Sequence, residues 1–169
     1  KPVHSHAIIE MGANHLKEIA FLCEITQPTH GLITNVGKAH LKGFGSEKGV
    51  LKGKTELYDF IKKNNGLIFV NEDDNKLFKT IGDIEHITYK PSEFRIVKEQ
   101  PTLKLLCQSI EIPTHLVGAF NKENIAAAFS IGAYFGVSLS KAAKAVSDYT
   151  PNNSRSQLIK QNGKILTFD

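Results

Sequence analysis

The stretch HGLITNVGKAHLKGFGSEKGVLKGKTELYDFIKKNNGLIFV, residues 30–70, decides the fold of this chain. Two apolar runs, residues 30–37 and 66–70, flank a segment with helical periodicity. Ser46 predicts the N-cap of that helix, which should extend to about Lys63. Because the flanking runs are continuous rather than alternating, they are typical of strands buried on both faces. The stretch therefore predicts a parallel strand-helix-strand unit.

The rest of the first 90 residues continues the same alternation. We predict further strands over 6–12 and 85–90, and helices over 16–26 and 75–82. The sequence thus predicts an α/β fold with a mostly parallel sheet and helices on both faces. In such sheets ligands bind beyond the carboxyl ends of the strands. Polar candidates follow those ends: Glu10, Asn35, His40, Asn71, Asp73 and Asp74.

The second half of the chain has a different texture. Residues 92–118 alternate and are rich in β-branched residues, which predicts a small antiparallel extension. Two helices are predicted next, over 121–136 and 138–149. The Asn162-Gly163 pair then predicts a hairpin between the last two strands.

Composition limits the function classes. The 169 residues are 41% hydrophobic and 22% charged, which is ordinary for one globular domain. Apolar runs are too short to span a membrane, so no membrane insertion is expected. The net charge of +4 favours anionic partners, but no run of five basic residues occurs, so a phosphorylated small molecule fits better than nucleic acid. Cys23 and Cys107 lack metal-site spacing, which fits a cytoplasmic protein.

The lysine at position 54 interrupts an apolar stripe. Val50, Leu57 and Ile61 share its helical face. One interpretation is a lysine whose stem packs while its amine reaches water. The other is an amine that faces a site and has a shifted pKa or a chemical modification. Residues 49–55, GVLKGKT, are not a phosphate loop, because one intervening residue is missing and they lie inside the helix.

Two further sets of polar residues are candidates. Glu10 ends an apolar run, where a buried carboxylate would need a partner, and His40 follows the next strand. Together they suit Mg2+ or Mn2+ at a phosphate, whereas His40 alone is better explained by loop structure. At the start of the alanine-rich helix, Asn121 predicts an N-cap, and Asn124 could bond a planar base.

The order and spacing of several motifs make the chain resemble the Mur ligases, ATP-dependent amide-forming enzymes of peptidoglycan assembly. The resemblance is greatest to the branch that adds D-alanyl-D-alanine to a UDP-linked muramoyl tripeptide. It covers nearly the whole chain and is carried by IIEMGANHLKEI (8–19), ITNVGKAHLKGFGS (33–46), LKGKTELYDF (51–60), VNEDDN (70–75), VGAFNKENIAAA (117–128), NSRSQ (153–157) and ILTFD (165–169).

The resemblance implies roles for seven residues. Glu10 and His40 would be ligands of Mg2+ bound with ATP, and Lys54 would be the lysine that reacts with CO2 to give a carbamate ligand. Catalytic roles would fall to Lys54 and His40. ATP would be bound by Asn121, Asn124, Arg155 and Asp169. Phe120 departs from the family, which usually has His before the first Asn.

The resemblance also implies the reaction and the extent of the chain. ATP would convert the terminal carboxylate of the UDP-linked muramoyl peptide into an acyl phosphate, which the amine of D-alanyl-D-alanine attacks. Residues 1–169 would be the central ATP-binding domain, without its phosphate loop and C-terminal domain. Alone it should then lack ligase activity and bind ATP weakly or not at all. Alternatives are another Mur-type ligase, an enzyme similar to folylpolyglutamate synthetases, or a non-catalytic nucleotide-fold interaction module.

Overall fold

A computed structural model describes residues 3–37, 41–152, 157–161 and 164–168. The chain divides into two compact units. The first contains residues 1–70 and 74–87, and the second contains residues 71–73 and 88–169.

The first unit is built around a short parallel sheet. Its elements in chain order are α1 (Glu18–Thr26), β1 (His30–Leu32), α2 (Leu41–Phe44), α3 (Glu47–Lys63), β2 (Leu67–Asn71), α4 (Asn75–Phe78) and β3 (His86–Tyr89), with the ends of β2 and β3 counted in the second unit.

The strand order is β1-β2-β3. Strands β1 and β2 pair in parallel, with His30 opposite Leu67. The hydrogen bonds from Ile68 N to the Glu85 carbonyl and from Glu72 N to the Tyr89 carbonyl advance in one direction, as in a parallel pair. The predicted parallel sheet is therefore confirmed.

The core of the first unit lies between α1, α3 and the sheet. Every residue of β2 is buried, as expected for a strand covered on both faces. Helix α1 contributes Ile19 and the free thiol Cys23, and α3 contributes Tyr58 and Ile61. Burial raises the pKa of the Cys23 thiol, so this cysteine packs as a small neutral side chain.

The strand predicted over residues 6–12 is wrong. These residues adopt no strand, and the side chains of Ile8 and Ile9 are 96% and 56% exposed. Only the end of the run is anchored, because Met11 and Ala13 pack against the core. An apolar run becomes a strand only where another strand satisfies its main-chain groups, and within the described ranges residues 6–12 pair with none.

The second unit combines an antiparallel sheet with two helices. Its elements are a 3-10 turn (Pro91–Glu93), β4 (Phe94–Lys98), β5 (Lys104–Cys107), β6 (Ile110–Pro113), α5 (Asn121–Tyr134), α6 (Leu139–Asp148), β7 (Gln157–Gln161) and β8 (Lys164–Phe168). Strands β4, β5 and β6 are ordered consecutively and antiparallel. This confirms the predicted extension and both predicted helices.

The sheet of the second unit packs against its helices through apolar side chains. Leu103, Leu105 and Ile112 are fully buried, and the Phe94 and Phe129 rings meet edge to face with centroids 5.2 Å apart. Strands β7 and β8 pair antiparallel with Gln161 opposite Lys164, which confirms the final hairpin, although the Asn162-Gly163 turn lies outside the described residues. In the part of the chain that the structure covers, every helix is too short or too polar to traverse a bilayer.

Candidate functional site

Helix α3 carries the lysine that the sequence singled out. The Ser46 hydroxyl oxygen accepts a hydrogen bond from Gly49 N at 3.1 Å, which confirms Ser46 as the N-cap. The apolar stripe is also confirmed, because the three other members of that face are buried: Val50, Leu57 and Ile61. Lys54 is partly buried beside them. The helix therefore holds an amine where the surrounding positions are apolar.

The Lys54 amine ends on a main-chain carbonyl. Its Nζ donates a hydrogen bond of 2.7 Å to the carbonyl oxygen of Asn35, three residues beyond the end of β1. Burial lowers the pKa of this amine, since desolvation disfavours its charged form. A larger fraction of neutral amine is then present near neutral pH than for an exposed lysine. The amine is thus both held in place and shifted toward its nucleophilic form.

Glu10 lies in the segment that forms no strand. Its side chain is exposed, so the expectation of a buried carboxylate that needs a partner is wrong. The cause is the same as for Ile8 and Ile9, because no strand covers this segment in the described ranges. The structure shows no ion pair between the Glu10 carboxylate and the Lys54 amine, both of which it describes.

His40 lies outside the described residues, but segments close to Glu10 and His40 in the chain touch each other. Gly43, in the short helix α2, lies so close to Asn14 that a Cβ at position 43 would overlap the Asn14 carbonyl oxygen. Asn14 is four residues after Glu10, and Gly43 is three residues after His40. This glycine therefore lets the two segments approach where a larger residue would separate them.

A second close approach joins α2 to α3. A Cβ at Gly49 would overlap the carbonyl oxygen of Phe44, the last residue of α2. The Phe44 side chain is itself buried. The glycines of this region thus serve close packing of main chains, and this agrees with rejecting a phosphate loop at residues 49–55.

Two carboxylates that the sequence analysis did not single out hold the start of α1. Glu18 accepts hydrogen bonds from Asn14 N at 2.7 Å and from His15 N at 3.1 Å. Glu56 accepts from Lys17 N at 2.6 Å and from Ala20 N at 3.1 Å. Glu18 could have been found from sequence as an acidic residue in a first helical turn. Glu56 gave no such signal, because its partners are 36 and 39 residues away.

The polar residues at the end of β2 hold turns. Asn71 Oδ1 accepts from Asp73 N at 2.9 Å, and the Asp73 carboxylate accepts from the main-chain N and the hydroxyl of Ser92. Asp74 caps α4 through Lys76 N and Leu77 N. The two aspartates that the sequence placed near a ligand edge therefore have structural partners.

The start of α5 differs from the prediction. The N-cap is Phe120, whose side chain is 53% exposed, and Asn121 is the first residue of the helix. Asn121 is buried, and its Nδ2 donates to the Val117 carbonyl at 2.8 Å. Asn121 is therefore not the N-cap, because it already lies within the helix and its NH2 group reaches back to the preceding turn. Asn124, one turn further, is exposed.

The remaining predicted residues, Arg155 and Asp169, lie outside the described residues. Among the residues that are described, no three His, Cys, Asp or Glu side chains cluster closely enough to hold a metal ion. His40 lies outside these residues. Of the predicted metal ligands, the structure thus describes Lys54 and Glu10.

Comparison with known proteins gives a consistent result. A family model described as Mur ligase middle domain matches residues 2–132. The chain is 30% identical over 162 residues to a UDP-N-acetylmuramoyl-tripeptide–D-alanyl-D-alanine ligase from Bacillus subtilis, covering 91% of this chain and 35% of that protein. It is 34% identical over 146 residues to the enzyme of that name from Haemophilus influenzae, covering 80% and 32%. The chain thus spans about a third of the length of these curated relatives.

Solved structures agree in fold. A crystal structure of MurF from Acinetobacter baumannii superimposes with a TM-score of 0.82 at 24% identity, over 100% of this chain and 40% of that one. MurF ligase from Thermotoga maritima, solved in complex with ADP, gives 0.74 at 20% identity, over 94% and 39%. Since the family match extends over most of the sequence, the chain belongs to the Mur ligase family, with its middle domain at residues 2–132.

Proposed function

We propose that this chain is the central ATP-binding part of a ligase that joins D-alanyl-D-alanine to a UDP-linked muramoyl tripeptide in the cytoplasm. The curated relatives that carry this activity in their names support the proposal. The observation that carries it is the Lys54 amine. It is partly buried on an apolar stripe, donates a hydrogen bond to the Asn35 carbonyl, and has a pKa that burial lowers. A lysine that served only packing would not need that arrangement.

The first chemical role of Lys54 is to react with CO2. The neutral amine attacks the CO2 carbon, an N–C bond forms, and a proton leaves, so a cation becomes an anionic carbamate. The lowered pKa of Lys54 favours this reaction, since only the neutral amine has a free electron pair. The carbamate nitrogen keeps one hydrogen, so it can continue to donate to the Asn35 carbonyl. That hydrogen bond would fix the direction of the new carboxylate.

Glu10, His40 and the modified Lys54 would together hold Mg2+. Carboxylate and carbamate oxygens are hard donors of the kind that Mg2+ prefers, and an imidazole completes the set. When bound, Mg2+ would stabilise the charge that develops on the phosphoryl oxygens. The contact between Asn14 and Gly43 supports this grouping, since it joins the segments that contain Glu10 and His40.

The nucleotide-binding residues belong to the second unit. Asn124 is exposed at the start of α5, where its amide can bond the edge of a base. Asn121 is committed to the Val117 carbonyl, so we assign it the task of shaping the turn before α5. Arg155 and Asp169 would bind the phosphates and the ribose. These assignments follow the family motif, with Phe120 in place of the usual histidine.

The reaction would proceed in two displacements. The terminal carboxylate of the muramoyl peptide attacks the γ-phosphorus, an O–P bond forms, and ADP leaves. The dipeptide amine then attacks the acyl carbon, loses a proton, and displaces inorganic phosphate. Residues of this chain would hold the nucleotide and its charge during the first displacement.

The test replaces Lys54 in the full-length protein. Lys54→Ala should lower the rate of amide formation by about 100-fold or more, since a metal ligand is lost. Added formate or acetate should restore part of the rate by supplying a carboxylate in its place. Lys52→Ala is the matched control, because Lys52 is an exposed lysine on the same helix, and its rate should be unchanged.

Two results would contradict the proposal. If Lys54→Ala forms the amide at the wild-type rate, Lys54 is not a ligand for the reaction. If the unmodified full-length protein forms no amide with any muramoyl peptide, the non-catalytic interaction module becomes the better interpretation.

A further inference from the structure

Glu56 makes a long-range contact that the proposed function does not use. Its Oε1 accepts from Lys17 N at 2.6 Å, and its Oε2 accepts from Ala20 N at 3.1 Å. Both carboxylate oxygens are therefore committed to main-chain N–H groups at the start of α1. A carboxylate in this position satisfies two of the otherwise unpaired donors and lies at the positive end of the helix dipole.

Helix α1 has no cap of its own. Its N-cap residue is Lys17, which has a φ of 73° and makes no side-chain cap hydrogen bond. A left-handed conformation is unfavourable for a residue with a Cβ and persists only where the surroundings impose it. Glu56 is the group that binds the main-chain N of this strained residue. The start of α1 is thus fixed by α3.

The same contact fixes the segment that leads back to Glu10. Between Glu10 and Lys17, Met11 and Ala13 pack against the core, and Asn14 N is held by Glu18. This segment is thus tied to the first unit at Met11 and Ala13, and its last residue is tied to Glu56. A shift of Lys17 would therefore be passed along a short, restrained path toward Glu10.

Helix α3 holds the other predicted ligand segments as well. Lys54, two residues before Glu56, binds the Asn35 carbonyl five residues before His40. One helix thus supplies a proposed metal ligand and two tethers, each to a segment that carries another proposed ligand.

We infer that Glu56 is a positioning residue for the proposed magnesium site, acting through the main chain of residues 11–17. Its role would be indirect, because both of its carboxylate oxygens already accept from main-chain N–H groups. Its carboxylate sets the distance between the Glu10 segment and the helix that carries Lys54. The inference rests on the proposed function and adds a residue to it.

The experiment compares Glu56→Gln with Asp59→Asn in the full-length protein. Glutamine has nearly the same shape, but its NH2 group cannot accept from an N–H, so one of the two hydrogen bonds is lost. Asp59 is an exposed carboxylate on the same helix and controls for the change in charge. Amide hydrogen exchange should become faster in Glu56→Gln at Lys17 or Ala20, whichever loses its hydrogen bond, and stay unchanged at both in Asp59→Asn.

The functional measurement is the requirement for Mg2+. In Glu56→Gln, the Mg2+ concentration for half-maximal amide formation should rise by about 10-fold, as when an outer-shell partner of a metal ligand is removed. The rise should exceed the fall in kcat, and the KM for the dipeptide should not change. Calorimetric titration of Mg2+ into the nucleotide-saturated protein should show the same weakening. Loss of the fold alone would instead lower kcat and weaken the binding of Mg2+ and of the dipeptide together.

The outcomes separate this inference from the proposed function. Faster exchange at either amide with an unchanged Mg2+ requirement would overturn the positioning role and leave the ligase proposal standing. Unchanged exchange at both amides would overturn it too, because the Glu56 carboxylate would then not restrain the start of α1. If the unmodified protein shows no Mg2+-dependent ligation, the proposed function fails first. Should Glu56→Gln not fold, Glu56→Asp, which keeps the charge but shortens the reach, takes its place.

Discussion

Helix α3 in the first unit and helix α5 in the second use polar side chains in opposite ways. On α3, Lys54 and Glu56 reach main-chain groups 19 to 39 residues away in the sequence. On α5, the Asn121 amide donates to the Val117 and Gly118 carbonyls, within the preceding turn. Side chains of α3 thus hold distant segments of the chain, whereas Asn121 of α5 holds the turn directly before its own helix. A change on α3 should therefore have consequences far along the chain.

The glycines of the two helices give the largest expected contrast. Gly49→Ala in α3 should destabilise the chain by about 1–3 kcal/mol, because its Cβ would overlap the Phe44 carbonyl and force the main chain apart. Gly132→Ala in α5 is the matched control. Its Cβ would meet only ordinary contacts, the nearest being Val137 Cβ at 3.5 Å, so helix propensity should stabilise the chain by up to about 1 kcal/mol.

Chemical denaturation of the unmodified protein, Gly49→Ala and Gly132→Ala measures this contrast. Equal effects of the two substitutions would mean that α2 does not pack closely on α3. The contrast between α3, which holds distant segments, and α5, which holds its own preceding turn, would then lose its main structural support.

The features that the sequence predicted correctly depend on local contacts, as at the start of α5. The Ser46 cap, the buried stripe through Ile61 and the hairpin after residue 157 are all local patterns, and each was predicted. The composition of neighbouring residues suffices for such features, because the interacting groups are a few positions apart.

The errors and omissions arise where a distant partner decides. Residues 6–12 have the composition of a strand, but a strand also needs a neighbour, which local sequence does not reveal. Glu56 looks like any surface carboxylate until the fold brings Lys17 N to it. The contact between Gly43 and Asn14 is hidden for the same reason. Of the seven predicted site residues, Arg155 and Asp169 were named from the family resemblance alone, whereas the other five also gave a local signal in the sequence.

The two asparagines of α5 give a smaller contrast. Asn121→Ala should destabilise the chain by about 1 kcal/mol, because the Val117 carbonyl loses its hydrogen-bond partner. Asn124→Ala should change stability by less than about 0.5 kcal/mol, since Asn124 is exposed. Denaturation midpoints measure both. In the full-length protein, the second substitution should nevertheless weaken nucleotide binding, and a large stability loss from Asn124→Ala would assign it a structural role instead.

The smallest expected effect concerns the pH dependence that Lys54 contributes. Burial lowers its pKa in the folded chain, so in the window below the ordinary lysine value of about 10.4 the unfolded chain binds more protons. Stability from this site must then rise as the pH increases through the folded-state pKa toward that value. Lys54→Met keeps the length and removes the charge. Its stability advantage over the unmodified chain should be greatest at pH 7 and shrink by pH 10.

Denaturation of both proteins between pH 7 and 10 in CO2-free buffer measures this difference, and other lysines cancel because they are common to both. Lys52→Met is the control at an exposed position and should show no such trend. An advantage of Lys54→Met that grows with pH would mean that the fold favours the charged amine. The Asn35 carbonyl would then be stabilising an ammonium ion. A different group would have to remove the proton from Lys54 before it reacts with CO2.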